Sequence, residues 1–498
     1  MLRSTSLSRR KLIRSGLVGG AAAIGFAALA GCGEAKVVEV VKEVSVEKIE
    51  KVEVEKIVTQ IVEKLVTAAP TKPVQVTLEV TFPANVPDAV RLMTDIVNPG
   101  YMKKYPNVTI KYDGTPWLEN QKKLMTRIAG DASPDVFLHD DVVMPSLSAR
   151  GAILALDEYA KRDAEQIKTV VGVSSSIDQR VGKRYGLSRN AIDTSMLYNR
   201  EIFETSGVEP PVNNDTPWTW EQWLENMKKL TWDKEKRSPD TVGFDSENVE
   251  RWGYWSRQSY ITVEWVPWIL QNDAHMMDDA ARNSTLDQPA VIEAMQFIND
   301  ATWKWHVAPT PDQQAAEGKD YHVVFVSGRA ASMSALLGQE SQYPTPDKAK
   351  YEIKAMVHPI NKKRGAASFN HQMMVAKATK VADEAWNFLV FQATDEESSK
   401  GVYTVAHHGL PADTRYWRIP EVTNREFYPK EIDVYFDPIE KGYGRGLYPN
   451  VAWSEWYQSI RTVFDEFIYN RISVEEGVKR AQRDSQEVLD LEYAKIGG

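Results

Sequence analysis

Beyond residue 74 the chain alternates between two hydrophobic periods. Val74-Gln75-Val76-Thr77-Leu78-Glu79-Val80 sets apolar side chains at every second position, which predicts a half-buried strand. Over 88–97, Val90, Met93 and Val97 share one helical face, and Asn98-Pro99-Gly100 is expected to interrupt that helix before 101–105. A second strand follows the Pro106 turn (107–112), a second helix covers 118–129 and stops at Gly130, and 134–138 reads as a third strand. This βαβαβ order predicts a mainly parallel sheet with helices on both faces. Further helices are expected at 220–230, 289–303, 381–392, 453–469 and 475–493. The last offers Val478, Ala481, Val488 and Leu491 for packing.

The first 73 residues follow neither pattern. Residues 8–14 are basic, with Arg9 and Arg10 adjacent, and 16–30 is a run of 15 uncharged, mostly small apolar residues. That is shorter than the roughly 20 residues a spanning helix needs, so a cleaved export signal is the better reading. The run ends Leu29-Ala30-Gly31-Cys32, which resembles a bacterial lipoprotein signal with Cys32 lipidated, and the arginine pair resembles a twin-arginine export signal. A membrane anchor at Cys32 follows from that resemblance. Between Lys36 and Lys64 stand thirteen Val or Ile, six Lys and seven Glu without Gly or Pro. This reads as a charged stalk, in which Val54, Val58, Ile61 and Leu65 can form one helical stripe. The organisation expected is a signal (1–31), a lipidated cysteine and stalk (32–73), and a globular region.

Composition narrows the function classes. The chain's 498 residues exceed one hydrophobic core. A net charge of −9 falls to −14 without residues 1–31, which carry five basic and no acidic side chains, so no nucleic-acid partner is expected. A lone cysteine forbids an intramolecular disulfide. Fifteen tryptophans and 20 tyrosines are more than packing alone calls for, and some are expected on a binding surface.

Motifs spread along the globular region resemble family 1 extracellular solute-binding proteins, the receptors of carbohydrate-type ABC importers. They are Tyr105-Pro106-Asn107-Val108-Thr109-Ile110, the stretch from Ala129 through Pro134-Asp135-Val136-Phe137, and Gly151-Ala152-Ile153-Leu154-Ala155-Leu156-Asp157. Gly182-Lys183-Arg184-Tyr185-Gly186-Leu187, Leu197-Tyr198-Asn199-Arg200 and Thr219-Trp220-Glu221-Gln222-Trp223 follow in order. Ser188 stands where proline is usual. The series closes with Gly328-Arg329-Ala330-Ala331, where Ser332 delays the methionine to Met333, then Asp383-Glu384-Ala385-Trp386 and Gly409-Leu410-Pro411. The resemblance implies an α/β, periplasmic-binding-protein-like (type II) fold: two lobes joined by crossover segments, with a ligand cleft between them. It places lobe 1 at 74–190 plus 368–408 and lobe 2 at 191–367 plus 409–498. It also implies a permease partner, lobe closure on the solute, and an extracytoplasmic, lipid-anchored location.

A carbohydrate presents weakly polar ring faces and a rim of hydroxyls, so its site calls for aromatic platforms and planar hydrogen-bonding groups. The candidates are His139, Asp140 and Asp141 after the third strand, Tyr185 and Asp193 around the first crossover, and His371 and His408 at the others. Asn370, Gln372 and His407 flank those crossovers. Trp252, Trp255, Trp265 and Trp268 form the densest aromatic group, with Arg251 and Glu264 beside them. Trp117 sits in a loop, and Trp417 follows Pro411. Core packing competes for every one of these tryptophans. The number of aromatics favours a di- or oligosaccharide. A polyol, a glycerol phosphodiester or an organic cation is the alternative solute, the phosphate case leaning on Arg189, Arg251 and Arg257.

No cofactor and no metal is expected. There is no HExxH motif, the one cysteine is assigned to lipid, and Asp278-Asp279 lacks the alternating oxygen ligands of a calcium loop. Nor is there a Gly-x-Ser-x-Gly elbow, a phosphate loop or a dinucleotide fingerprint, and no enzyme activity is expected. An envelope scaffold on a borrowed fold is the remaining class.

Overall fold

The computed structural model describes residues 74–497 apart from 85–86, 173–174, 258–259, 319, 338–342, 344–349 and 424–430. The expectations for the signal, Cys32 and the stalk lie outside the described residues. The compact unit spans Pro73–Gly498.

In chain order the strands begin with β1 (Val76–Thr81), β2 (Val108–Asp113) and β3 (Val136–Asp140). Next come the short β4 (Ile177–Asp178), β5 (Lys183–Arg184) and β6 (Gly186–Ser188), and the long β7 (Asn190–Asn199). Then follow β8 (Trp232–Asp233), β9 (Val249–Trp255), β10 (Ala330–Leu336) and β11 (Ile353–Met356). The series ends with β12 (Ala366–Phe369), β13 (His371–Val375), β14 (Leu410–Pro411) and β15 (Gly444–Arg445).

They form two main sheets. The first runs β2-β1-β3-β13-β6, parallel through β2, β1 and β3, with β13 antiparallel between β3 and β6. Along β1 the predicted alternation holds. Leu78 and Val80 enter a core with Leu92, Met93, Val97, Tyr101, Phe388 and Leu389, while Glu79 faces outward and pairs with Lys111 and Arg127. The second sheet runs β15-β12-β7-β10-β9-β8, with β11 and β14 also on β7. It is covered on both faces, so every residue of β7 is buried. Ile192, Met196 and Tyr198 enter a core with Trp223, Trp268 and Phe464, and Ala191 and Leu197 enter one with Trp252, Trp255 and Tyr435.

The chain passes between the sheets at three places. Arg189 separates β6 from β7, and Asn370 separates β12 from β13. After the helix Glu396–Thr404, Gly409 takes φ +83° and delivers β14 onto Asn190 and Ala191. A side chain at Gly409 would be strained there and would meet the Ala191 carbonyl.

Two expectations needed correction. Asn98-Pro99-Gly100 does not stop the first helix. A π-helical turn, Leu92–Val97, joins Pro87–Arg91 to Asn98–Lys104, and Pro99 falls in the first turn of the following segment, where a missing N–H is tolerated. Buried Met93, Val97 and Tyr101 keep a four-residue spacing through the junction. In the last helix, Val474–Lys495, Leu491 is 57% exposed, and the buried face is Val474, Val478, Ala481, Ser485, Leu489 and Tyr493. The helical period selects Leu489 over Leu491, because two residues apart is the opposite side.

Candidate functional site

The ends of β3, β13 and β7 meet where the chain changes sheets, and their side chains form a continuous polar wall. His371 Nε2 lies 3.2 Å from Asp140 Oδ1, and His371 Nδ1 lies 2.9 Å from the Asn190 side-chain nitrogen. That amide nitrogen only donates, so Nδ1 accepts and the proton sits on Nε2, facing Asp140. Asn190 also donates to the His408 carbonyl at 2.6 Å, and the His371 and His408 rings stack with centroids 4.7 Å apart. Trp117, at the start of the helix Trp117–Ala129, leans on His371 at 5.0 Å and meets His139 edge-on at 6.0 Å. Burial works to raise Asp140, but the bond from His371 and the electrostatic attraction of the His371 and His139 rings outweigh it and hold the carboxyl below its ordinary range. Burial pulls His139 and His408 down. Arg189, buried behind them with its guanidinium over the Phe82 ring, is lowered by burial to about 10.

The next residue faces a cavity. Asp141 is fully buried, and among the described residues neither carboxylate oxygen has a partner in hydrogen-bonding geometry. Burial first, and repulsion from Asp140 second, raise it well above the usual carboxylate range, against some help from nearby backbone N–H groups. It lines a space of about 430 Å³ between the two lobes. Asp178 and Arg180 (3.2 Å) form a pair on one side, and Asp279 and Arg445 (2.8 Å) form one on the other. Tyr448 and Tyr493 supply aromatic surface. The flanking carboxylates are paired with arginines, while Asp141, the Tyr448 hydroxyl and Arg180 Nε are buried lining groups without a hydrogen-bond partner among the described residues.

A second space, of about 660 Å³, opens at the C-terminal end of β9. Trp255, Tyr260, Tyr321 and Tyr457 line it, with Arg257 and Arg461. The Arg257 guanidinium lies 4.5 Å from the Tyr260 ring centre and 4.0 Å from that of Tyr321. Burial raises Tyr260 to about 12, Arg257 opposing and the Asp140 charge adding to it, so this groove and the β3 end share one electrostatic field. The helix Trp453–Ile468 meets the turn Asp141–Val143, and Val142 is buried in the second lobe's core there. Asp141 on one side of that contact lines the pocket, and Tyr457 and Arg461 of the helix line the groove.

The family model for bacterial extracellular solute-binding proteins matches residues 79–398. This chain belongs to that family. It is 23% identical over 359 residues to the arabinooligosaccharide-binding protein of Bacillus subtilis (strain 168), a match covering 69% of this chain and 73% of that protein. Its fold is similar to that of an ABC substrate-binding protein of Listeria monocytogenes in complex with cycloalternan. The TM-score there is 0.70 at 18% identity, over 84% of this chain and 99% of that one. The sugar-binding protein MalE of Xanthomonas citri gives a TM-score of 0.67 at 15% identity, over 84% and 98%. The two-lobe α/β fold with an interlobe cleft is therefore that of extracytoplasmic binding proteins, and family and fold are those of non-catalytic receptors.

Within this solute-binding protein the candidate residues divide. His139, Asp140, His371, His408 and Trp117 come together at the crossovers, Asp141 lines the pocket, and Trp255 lines the groove. Three tryptophans are core. Trp268 packs on Trp220, Trp223 and Phe297, Trp265 on Phe464 and Tyr457, and Trp252 between Trp255 and the Arg329 guanidinium. Asp193 lies inside β7 rather than after a strand. It is buried, bonded by Ser368 of β12, and raised well above its ordinary range by burial. Tyr185 is half-buried against Ile128, Met144 and their neighbours and lines neither cavity. Gln372 spends its amide on Ser175, Ser176 and Ser188; Arg251 donates to the Leu230 carbonyl and covers Trp232; Trp417 stacks on Phe436.

Sequence reasoning missed Tyr260, Tyr321, Tyr457, Arg180, Arg445, Tyr448 and Tyr493. For Tyr457 a signal was present. Tyr457, Arg461 and Asp465 recur every four residues, on the flank one residue round from the buried Trp456, Ile460 and Phe464 face. Among the described residues no group of three or more His, Cys, Asp or Glu side chains is arranged to hold a metal ion. No described helix is long and apolar enough to cross a membrane.

Proposed function

We propose that this protein is the extracytoplasmic receptor of an ABC importer, capturing a di- or oligosaccharide between its lobes and presenting it to the membrane permease by lobe closure. One observation carries the reading: a pocket between the lobes lined by the unpartnered Asp141 and by aspartate–arginine pairs, and a groove walled by aromatic residues. A polyhydroxylated ring fits the first and further rings fit the second, since flat aromatic faces suit sugar C–H surfaces. The sugars named for the Bacillus, Listeria and Xanthomonas proteins support the same class. Attachment to the membrane through a lipid on Cys32, after twin-arginine export, belongs to this proposal and keeps the receptor near its permease.

The test is a thermal-shift screen of the full chain in detergent against mono-, di- and oligosaccharides, polyols and glycerol phosphates. A ligand of the folded state raises the melting temperature by mass action. A shift confined to saccharides, growing from mono- to oligosaccharide, is expected. A shift with polyols or glycerol phosphates alone, or none in a folded protein, overturns the carbohydrate assignment. Intact mass of membrane-extracted protein, against Cys32→Ser, reads the lipid: a diacylglyceryl addition is expected, and its absence removes the anchor.

A further inference from the structure

Glu264 belongs to no part of the cleft lining, yet it controls one wall of it. It sits in a π-helical turn, Ile261–Trp265, and is fully buried. Such turns recur at functional sites because the wider ring re-aims side chains. Glu264 Oε1 accepts the Arg257 backbone N–H at 2.6 Å, Tyr260 N–H donates to the Arg257 carbonyl at 2.8 Å, and Glu264 N–H donates to the Tyr260 carbonyl at 3.0 Å. Those three bonds tie Glu264 to Arg257 and Tyr260, both of which line the aromatic groove. From below, the Tyr254 hydroxyl lies 2.8 Å from each Glu264 oxygen and 2.8 Å from Ser334 Oγ, tying the carboxyl to β9 and β10.

We propose that Glu264 is a positioning residue of the groove, a pH-responsive clamp whose carboxyl fixes where Arg257 and Tyr260 stand against a bound solute. Burial, against the bonds from Tyr254 and Arg257 N–H and the Arg257 charge, raises it to about 7. The groups facing it are Tyr254 from β9, Ser334 from β10, Ser256 and Arg257 from the connection, and Trp268, whose indole lies beside Tyr254. Tyr254 is itself raised well above its ordinary value, by burial and then by the Glu264 charge, so it stays a donor when Glu264 ionises. Above about pH 7 the carboxylate accepts from both Tyr254 and Arg257 in charge-assisted bonds. Below it, the added proton competes for those lone pairs and the clamp loosens.

The value of the groove to a solute rests on the function proposed above, whereas the clamp is measured with no solute present, so the two fail separately. The experiment is hydrogen exchange of the full chain in detergent, read at the Arg257 amide and corrected for the intrinsic pH dependence of exchange. In the wild type, protection should rise several-fold with a midpoint near pH 7. Glu264→Gln should abolish the step. Tyr254→Phe removes a donor that favours the carboxylate and should move the midpoint upward, which keeps the test open where Glu264→Gln fails to fold. A wild-type profile without a step, a step that survives Glu264→Gln, or a Tyr254→Phe midpoint that stays or falls overturns the clamp.

Discussion

The polar pocket and the aromatic groove lie on either side of one contact, and their linings are built in opposite ways. In the pocket the arginines are consumed by aspartates, Arg180 by Asp178 and Arg445 by Asp279, and Asp141 is left with unspent capacity. In the groove the polar groups serve the rings: Arg257 lies against Tyr260 and Tyr321 and is held from behind by Glu264. The pocket thus stores an unsatisfied group that a solute can relieve, whereas the groove stores pre-positioned surface that a solute can cover. Leaving a buried polar group unbonded costs the empty protein stability, and rigid aromatic surface lowers the ordering cost of binding.

The sharpest break of that comparison sets a cleft residue against a core residue of similar chemistry. Trp268→Ala should destabilise the fold by about 3–5 kcal/mol, read by chemical unfolding, with saccharide affinity unchanged in the fraction that folds. Tyr457→Ala should leave stability within about 1 kcal/mol and weaken oligosaccharide binding by about tenfold or more, read by calorimetry. A stability loss at Tyr457 equal to that at Trp268 would make the groove ordinary core.

Asp141→Ala tests the pocket. Removing the unpartnered carboxyl should raise the stability of the empty protein by about 1–3 kcal/mol and lower affinity for monosaccharides and oligosaccharides alike. If stability falls instead, Asp141 is already satisfied without solute.

A pH-dependent effect follows from Glu264. Its raised value means that the folded state holds the proton more tightly than the unfolded chain does. Its contribution is therefore fully present below the unfolded value of 4.5 and is lost as pH rises toward about 7. The loss is on the order of 3 kcal/mol, and Glu264→Gln should be free of it. The stability difference between variant and wild type should accordingly grow in the variant's favour between those two pH values, while the local clamp tightens in the wild type.

Much of this was legible along the chain. The three parallel strands, the helices at 220–230 and 289–303, and the family motifs follow from periodicity and from capping chemistry such as the reciprocal Thr219–Gln222 bonds. The end of β3 was legible as a candidate site because strand ends in such sheets face the crevice. The four clustered tryptophans were not separable, since Trp255 and Trp252 have the same composition around them and nearly the same burial. What differs is that β9 ends at Trp255, beside the groove.

The sequence by itself determined the elements, their order, the mainly parallel first sheet and the family, because hydrophobic period and turn chemistry act over a few residues. Only the tertiary structure decided which aromatics line the groove, since Tyr260, Tyr321 and Tyr457 are brought together from segments far apart in the chain. It alone decided the states of the carboxyls as well. Asp140 and Asp141 are adjacent, yet one is held below and the other raised above its ordinary range. The cause is that His371, more than two hundred residues away along the chain, bonds the first, whereas burial and the Asp140 charge dominate at the second.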